Sequence, residues 1–198
     1  MSRLLRNGLA ALAAGLLALG AAAQEGAPCM RPGTQQDLPQ TLGPGFQRVS
    51  TYSFEAKMAG GGCSVRYKHP SGMWADVYVY QADLGAVEDK PRDPRLLNEF
   101  QTTMVGITQS WQQNHQAKVR DSVASYEKRG QGDVEVMAGW ATIDSPAHGL
   151  LRTYAQLWSG GGSIWKLRTT FPEADKAVSD AAVLALGNAL VDLSREKP

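Results

Sequence analysis

Three histidines are the side chains in this sequence best suited to bind a metal ion or to act as a general base. His69 and His148 fall in predicted turns, and His115 falls at the predicted end of a helix. None has a second histidine or a cysteine at the spacing that metal sites use along a chain. We therefore predict no metal site and interpret the three rings as solvated turn and helix-end residues.

Asp144, Ser145 and His148 are the residue types of a serine hydrolase, and they lie within one short segment. Catalytic triads converge from separate elements of a fold, so closeness within one predicted turn is weak support for acyl transfer. The chain also has no Gly-x-Ser-x-Gly segment to expose a nucleophilic serine. A small hydrolase is therefore the third interpretation of this chain, and we predict no catalytic residue and no enzyme.

Two glycine runs, 60–62 and 160–162, could suggest phosphate loops. Each run precedes a predicted strand rather than a helix, and no Gly-Lys-Ser/Thr follows either of them. No cofactor is therefore predicted.

Cys29 and Cys63 are the two cysteines of the chain. An even count in an exported protein favours a disulfide over two free thiols, and the absence of a Cys-x-x-Cys motif argues against redox chemistry. We predict a Cys29–Cys63 bridge that ties the N-terminal segment to the body of the protein.

Basic side chains recur at every second position of three predicted strands. If these strands share one sheet and the rows point to the same side, the cations form a surface for an anionic partner, such as phospholipid headgroups or an acidic protein surface. The alternative is a solvated face that keeps the sheet soluble. We call this set the basic rows: Lys57, Arg66, Lys68, Lys166 and Arg168.

Aromatic side chains also share one face of a predicted strand, where Trp74, Tyr78 and Tyr80 alternate with Ala75, Val77 and Val79. Core packing explains such a row, and a stacking or partner surface is the alternative.

The elements that must position these residues follow from the apolar periodicity. The pattern becomes strand-like from Phe46, and alternation with a period of two predicts a hairpin of 54–58 and 63–68 around the first glycine run. Further strands are predicted at 74–80, 119–126, 134–143, 151–158 and 163–171. A helix is predicted from Pro94, capped by Asp93, to His115, with Leu96, Leu97, Phe100, Met104, Ile107 and Trp111 on its apolar face. A second helix opens at Pro172, with an apolar face of Val178, Ala182, Ala185, Ala189 and Leu193.

This order predicts an α+β fold, with a single curved antiparallel β-sheet built from hairpins and a meander and two amphipathic helices packed on it. The chain of 198 residues suits one such domain at 46–198, preceded by an irregular N-terminal segment at 24–45.

Residues 1–23 have the pattern of a bacterial signal peptide. Arg3 and Arg6 precede an apolar run from Leu9 to Ala23, which is too short to cross a bilayer. Cleavage after Ala23 leaves 175 residues with a net charge of −1, which argues against a nucleic-acid partner. We expect no transmembrane segment after cleavage and a periplasmic or secreted protein.

The segments Ala75–Tyr80 and Trp165–Pro172, the latter a last strand running into the final helix, carry a resemblance. Together with the order of elements after residue 46, they resemble the PsbP-like and DcrB-like exported proteins. The resemblance implies a sheet flanked by helices and a non-catalytic envelope or assembly role, and it assigns no catalytic residues.

The leading interpretation is therefore a non-enzymatic periplasmic protein that binds an unknown protein or an anionic envelope component, or supports envelope assembly. The alternative is a small-molecule binding module whose pocket lies between helix and sheet.

Overall fold

An antiparallel sheet of nine strands organises the computed structural model, which describes residues 24–81, 85–90 and 92–196. The strands are β1 (Gln24–Glu25), β2 (Thr41–Leu42), β3 (Phe46–Ser53), β4 (Cys63–Lys68), β5 (Trp74–Tyr80), β6 (Lys118–Arg129), β7 (Val134–Ser145), β8 (Gly149–Gly160) and β9 (Ser163–Pro172). Across the sheet the order is β1-β3-β4-β5-β9-β8-β7-β6, and β2 pairs with β3 outside this path. The helices are α1 (Pro94–His115) and α2 (Lys176–Arg195), which confirms the predicted α+β class.

The two helices pack on opposite faces of the sheet. Ile164 belongs to the apolar cluster beneath α1, whereas its neighbour Trp165 belongs to the cluster beneath α2. Successive residues of a strand point to opposite faces, so these two clusters lie on the two sides of one sheet. Helix α1 contacts β6, β7 and β8, and the same face over β4 and β5 has no comparable helix contact among the described residues.

Helix α1 begins and ends as predicted. The side chain of Asp93 accepts a hydrogen bond from the Arg95 backbone at 2.8 Å, which satisfies one of the free N–H groups of the first turn. At the other end Gln116 adopts a left-handed conformation, and its N–H donates to the carbonyl of Trp111. The buried stripe is Leu96, Phe100, Ile107 and Trp111, all of them predicted.

The predicted apolar face of α2 is confirmed only in part: Ala182 is buried and Leu193 packs against the cluster beneath α2, Ala185 and Ala189 are partly buried, and Val178 is wrong. Val178 is 65 % exposed, and the buried face includes Ser179, Gly187 and Ser194. Small and hydroxyl residues let this helix approach the sheet closely, and the Ser194 hydroxyl accepts a hydrogen bond from the buried Trp158 indole at 3.0 Å. The rest of the buried face is apolar, with Val183, Leu186, Leu190 and Val191. An apolar pattern does not reveal that serine and glycine complete this face.

The strand-like pattern predicted from Phe46 is confirmed as far as Ser53, but its continuation over 54–58, the first strand of the predicted hairpin, is wrong. Strand β3 ends at Ser53, and the following residues form turns that include Lys57. The Glu55 carboxylate accepts hydrogen bonds from the backbone N–H groups of Gly60 and Gly62, at 3.0 and 2.7 Å. A carboxylate that holds the loop in this way replaces the expected strand pairing.

The N-terminal segment 24–45 packs into the core rather than trailing from it. Cys29 and Cys63 form the predicted disulfide, with Cα atoms 5.4 Å apart. Leu38 and Leu42 are buried in the cluster beneath α2, and β1 and β2 pair with β3. The predicted signal peptide, residues 1–23, lies outside the described residues.

Glu173–Arg195 is the one helix among the described residues that is long and apolar enough to cross a membrane, judged by length and composition alone; it has 23 residues and a mean hydropathy of 1.4. The expectation of no transmembrane segment after cleavage stays a prediction. In the fold this helix packs against the sheet, and 44 % of an apolar stretch of 18 residues within it is buried. Because a core helix can also be rich in alanine and leucine, composition alone does not distinguish it from a membrane-spanning helix.

Candidate functional site

The strand register brings four members of the basic rows onto one face of the sheet. Across β4, β5 and β9, Arg66 lies opposite Asp76, which lies opposite Arg168. Lys68 and Lys166 are two residues away from these arginines, so they point to the same side. This side is the α1 face, because the alternate residues of β4, such as Val65, belong to the cluster beneath α2.

Lys57 does not join this face, because it lies in the turn after β3. Its ammonium group is exposed there.

Lys166 is on the face but is not free to bind a partner. Its Nζ lies 3.6 Å from a Glu99 carboxylate oxygen and about 5 Å from the ring centres of Tyr78 and Tyr80. Burial lowers the pKa of this ammonium group, while the charge and hydrogen bond of Glu99 act in the opposite direction. The Tyr80 hydroxyl donates to the same carboxylate. Lys166 is therefore part of a closed polar cluster beside α1.

Arg66 and Arg168 differ in what they contact. Arg66 donates to both oxygens of Asp76, from Nε at 2.7 Å and from Nη2 at 3.0 Å. This hydrogen bond is the main reason that the pKa of Arg66 is raised. Within the described part of the chain, no hydrogen bond or ion pair involves the Arg168 side chain. Asp76, the single carboxylate of the row, is thus paired with Arg66. The N–H groups of the Arg168 side chain have no hydrogen-bond partner among the described residues.

A cleft of about 460 Å³ opens where this face meets the end of α1. Its floor is formed by two cross-strand rows, Arg66–Asp76–Arg168 and, beside it, Trp74–Thr170. One wall comes from the C-terminal turn of α1 and the β7–β8 turn, and the other comes from the β4–β5 turn. The wall residues include Ser71, Gly72, Trp111, His115 and His148.

Trp111 is the central residue of the α1 wall. The centre of its indole lies 4.6 Å from the ring centre of His115 and 6.4 Å from that of His148. The indole Nε1 is buried and has no hydrogen-bond partner in the structure. It is the one such atom among the cleft-lining residues that the structure describes. An indole N–H can only donate, so this position lacks an acceptor oxygen.

Trp74 supplies an exposed aromatic surface on the floor. It is 45 % exposed, whereas Tyr78 and Tyr80 are half-buried against the Lys166 cluster. The shared face of these three aromatics is as predicted. Tyr80 packs against the cluster beneath α1, whereas Trp74 is exposed and does not belong to a core cluster of the described residues.

The three residue types of a hydrolase are not assembled into a triad in the described structure. Ser145 is 2 % exposed, and its hydroxyl has no hydrogen-bond partner. Asp144 pairs with Arg120, and the imidazole of His148 lies against Trp111. Among the described residues, no group of three or more His, Cys, Asp or Glu could hold a metal ion.

The residues that form the wall of this cleft could not be predicted from the sequence. Trp111 is recognisable as a helix-face residue, and His115 and His148 as helix-end and turn residues, but nothing in their spacing places them together. The only usable signal was the exposed end of an amphipathic helix that carries an aromatic and a histidine four residues apart.

Searches with protein-family models and against curated protein sequences find no match for this chain. The geometry of the cleft therefore carries the functional argument.

Proposed function

We propose that this protein is an exported, non-enzymatic binding protein that holds an anionic envelope component on the open α1 face of its sheet. The observation that carries the proposal is Arg168, a guanidinium group on an uncovered part of the sheet with no acidic partner among the described residues. Arg66 and Lys68 extend the positive charge along the same face, and Trp74 offers an exposed ring beside it. We call these four residues the open face.

Export is part of the proposal. Residues 1–23 have the signal-peptide pattern, and the Cys29–Cys63 bridge is compatible with an oxidising compartment outside the cytoplasm. A non-catalytic envelope role also agrees with the resemblance to the PsbP-like and DcrB-like exported proteins.

The test is the variant Lys68→Gln/Arg168→Gln of the mature chain, assayed for binding to vesicles that contain an anionic phospholipid. Arg66 is kept because its removal would leave the half-buried Asp76 without its hydrogen bonds. The control is Lys57→Gln/Lys128→Gln, which removes the same charge from two exposed positions away from the open face.

Each basic residue close to an anionic membrane contributes about 1 kcal/mol, so removing two should weaken binding by about 30-fold at low salt. The control should bind like the parent. Equal losses of vesicle binding in the variant and the control would mean that net charge alone drives the association, and this result would overturn the proposal. An absence of vesicle binding by the parent protein would overturn it as well.

Binding of a small molecule is the second candidate function. The cleft favours it because about 460 Å³ lies within the range of ligand pockets, about 300–1,000 Å³. A thermal-shift screen of metabolites tests it, since a ligand present at 100 times its dissociation constant stabilises a protein by about 2.7 kcal/mol.

A further inference from the structure

We infer that the cleft is a subsite for a phosphate ester, whose phosphoryl oxygens accept hydrogen bonds from Arg168 and from the Trp111 indole. The inference rests on the proposed function, because it names the anionic group that the open face recognises. It concerns one defined place on that face, the junction of the sheet with the end of α1.

The donors of the cleft come from separate elements of the fold. Arg168 projects from β9, on the floor, and Trp111 from α1, on the wall. His115 and His148 have ring centres 4.6 and 6.4 Å from the indole and add two imidazole groups to the lining. The lining of the cleft therefore includes donor side chains from three elements: the sheet, helix α1 and the β7–β8 turn.

Acceptors are scarce in the same place. Asp76 is the one acidic residue among the lining residues, and both of its oxygens already accept hydrogen bonds from Arg66. Among the described residues, the buried Nε1 of Trp111 has no acceptor. A buried donor without a partner is costly, and proteins rarely retain one unless water or a ligand satisfies it. A bound anion would supply the missing oxygen.

The arrangement fits a phosphate ester better than a carboxylate. A carboxylate has two oxygens in one plane, and in a bidentate contact both of them face the guanidinium group. A phosphoryl group is tetrahedral, so it can engage Arg168 with two oxygens and still present a third towards the α1 wall. The exposed ring of Trp74, on the floor beside Thr170, is placed to contact the organic part of the ester.

Phenyl phosphate is the probe for the test, measured by titration calorimetry against the mature, oxidised protein. Benzoate, which carries the same ring with a planar anion, is the matched ligand control. We expect phenyl phosphate to bind at least 10-fold more tightly than benzoate. Arg168→Gln should weaken phenyl phosphate binding by at least 10-fold.

Trp111→Phe removes the indole N–H and keeps most of the ring packing, and we expect a 5- to 10-fold loss. Its control is Trp140→Phe, a half-buried tryptophan outside the cleft, which should bind like the parent. Because Trp111 is buried, a second variant, His115→Gln/His148→Gln, changes only exposed wall residues and should also weaken binding. The thermal midpoint of each variant shows whether it is folded.

Vesicles containing phosphatidylglycerol, a phosphodiester lipid, separate the two sources of the phosphate. If the source is a lipid headgroup, Trp111→Phe weakens vesicle binding together with phenyl phosphate binding. If the source is a free phosphate ester, only phenyl phosphate binding falls.

Equal affinity for benzoate and phenyl phosphate overturns the inference. So does unchanged phenyl phosphate binding in both Arg168→Gln and the double histidine variant. Vesicle binding that depends on Lys68 and Arg168 without any phenyl phosphate binding would leave the proposed function standing and remove only this subsite.

Discussion

Removal of the Cys29–Cys63 bridge should cost this protein about 3.8 kcal/mol of stability. The bridge joins residues separated by 34 positions, and the loss of loop-closure entropy in the unfolded chain gives this figure. Both sulfurs lie in the apolar cluster beneath α2, with Cys29 fully buried. Alanine at both positions therefore removes the covalent constraint while keeping apolar side chains in the core.

The double variant Cys29→Ala/Cys63→Ala should still fold. The N-terminal segment keeps non-covalent contacts with the body, including the hydrogen bond from the Tyr67 hydroxyl to the Pro39 carbonyl at 2.8 Å and the ion pair of Arg48 with Asp37. These contacts orient the segment in the native state, whereas the disulfide acts mainly by restricting the unfolded chain.

Equilibrium unfolding in urea, followed by far-ultraviolet circular dichroism, measures the loss. With a denaturant slope of about 2–3 kcal/mol per molar, the midpoint should fall by about 1.3–1.9 M. The oxidised parent, unfolded again after reduction, should lose the same amount, and a reductant should leave the variant unchanged. A loss below about 1 kcal/mol in the double variant would refute the entropic reasoning.

Three further predictions concern other parts of the molecule. Gly139→Ala should destabilise the protein by about 1–3 kcal/mol in urea unfolding, because its Cβ would lie 2.9 Å from Phe100 Cζ. Its control is Gly106→Ala, on an open part of α1, which should stabilise by about 0.5–1 kcal/mol; a loss at both positions would contradict the packing argument. Burial raises the pKa of Tyr80, so above about pH 10 the folded state keeps a proton that the unfolded chain loses. The free energy of unfolding should therefore fall as the pH rises above about 10, and it should fall less steeply in Tyr80→Phe. An equal fall in both proteins would assign the effect to other groups. Mass spectrometry of the exported protein should find Gln24, or its cyclised form, at the N-terminus, and a retained residue 1 would reject cleavage.

Local chemistry settled the elements that the sequence predicted well. Helix α1 could be placed to the residue because Asp93 caps it, Pro94 suits its first position, and a strong apolar stripe distinguishes its two sides. Strands β4 and β5 alternate cleanly because one side packs against the core and the other carries polar or aromatic groups. The disulfide followed from the count of two cysteines.

Tertiary contacts settled what periodicity could not. Helix α2 is apolar around much of its circumference, so the sequence could not reveal which apolar side is buried, or that Ser179, Gly187 and Ser194 lie on that side. Residues 54–58 alternate like a strand, yet Glu55 uses its carboxylate to hold the glycine loop. Both outcomes depend on partners that are distant in sequence or on a loop geometry that no periodic pattern encodes.

The candidate site also has features that the sequence determines and features that depend on tertiary structure. The sequence by itself determined that Arg66, Lys68, Lys166 and Arg168 alternate with apolar residues, because side chains along a strand alternate between two faces. Only the tertiary structure decided that Lys166 is enclosed by Glu99 while Arg168 remains without a partner in the described chain. The order of strands and the path of α1 bring separate segments together, and that long-range placement, rather than local spacing, creates the cleft.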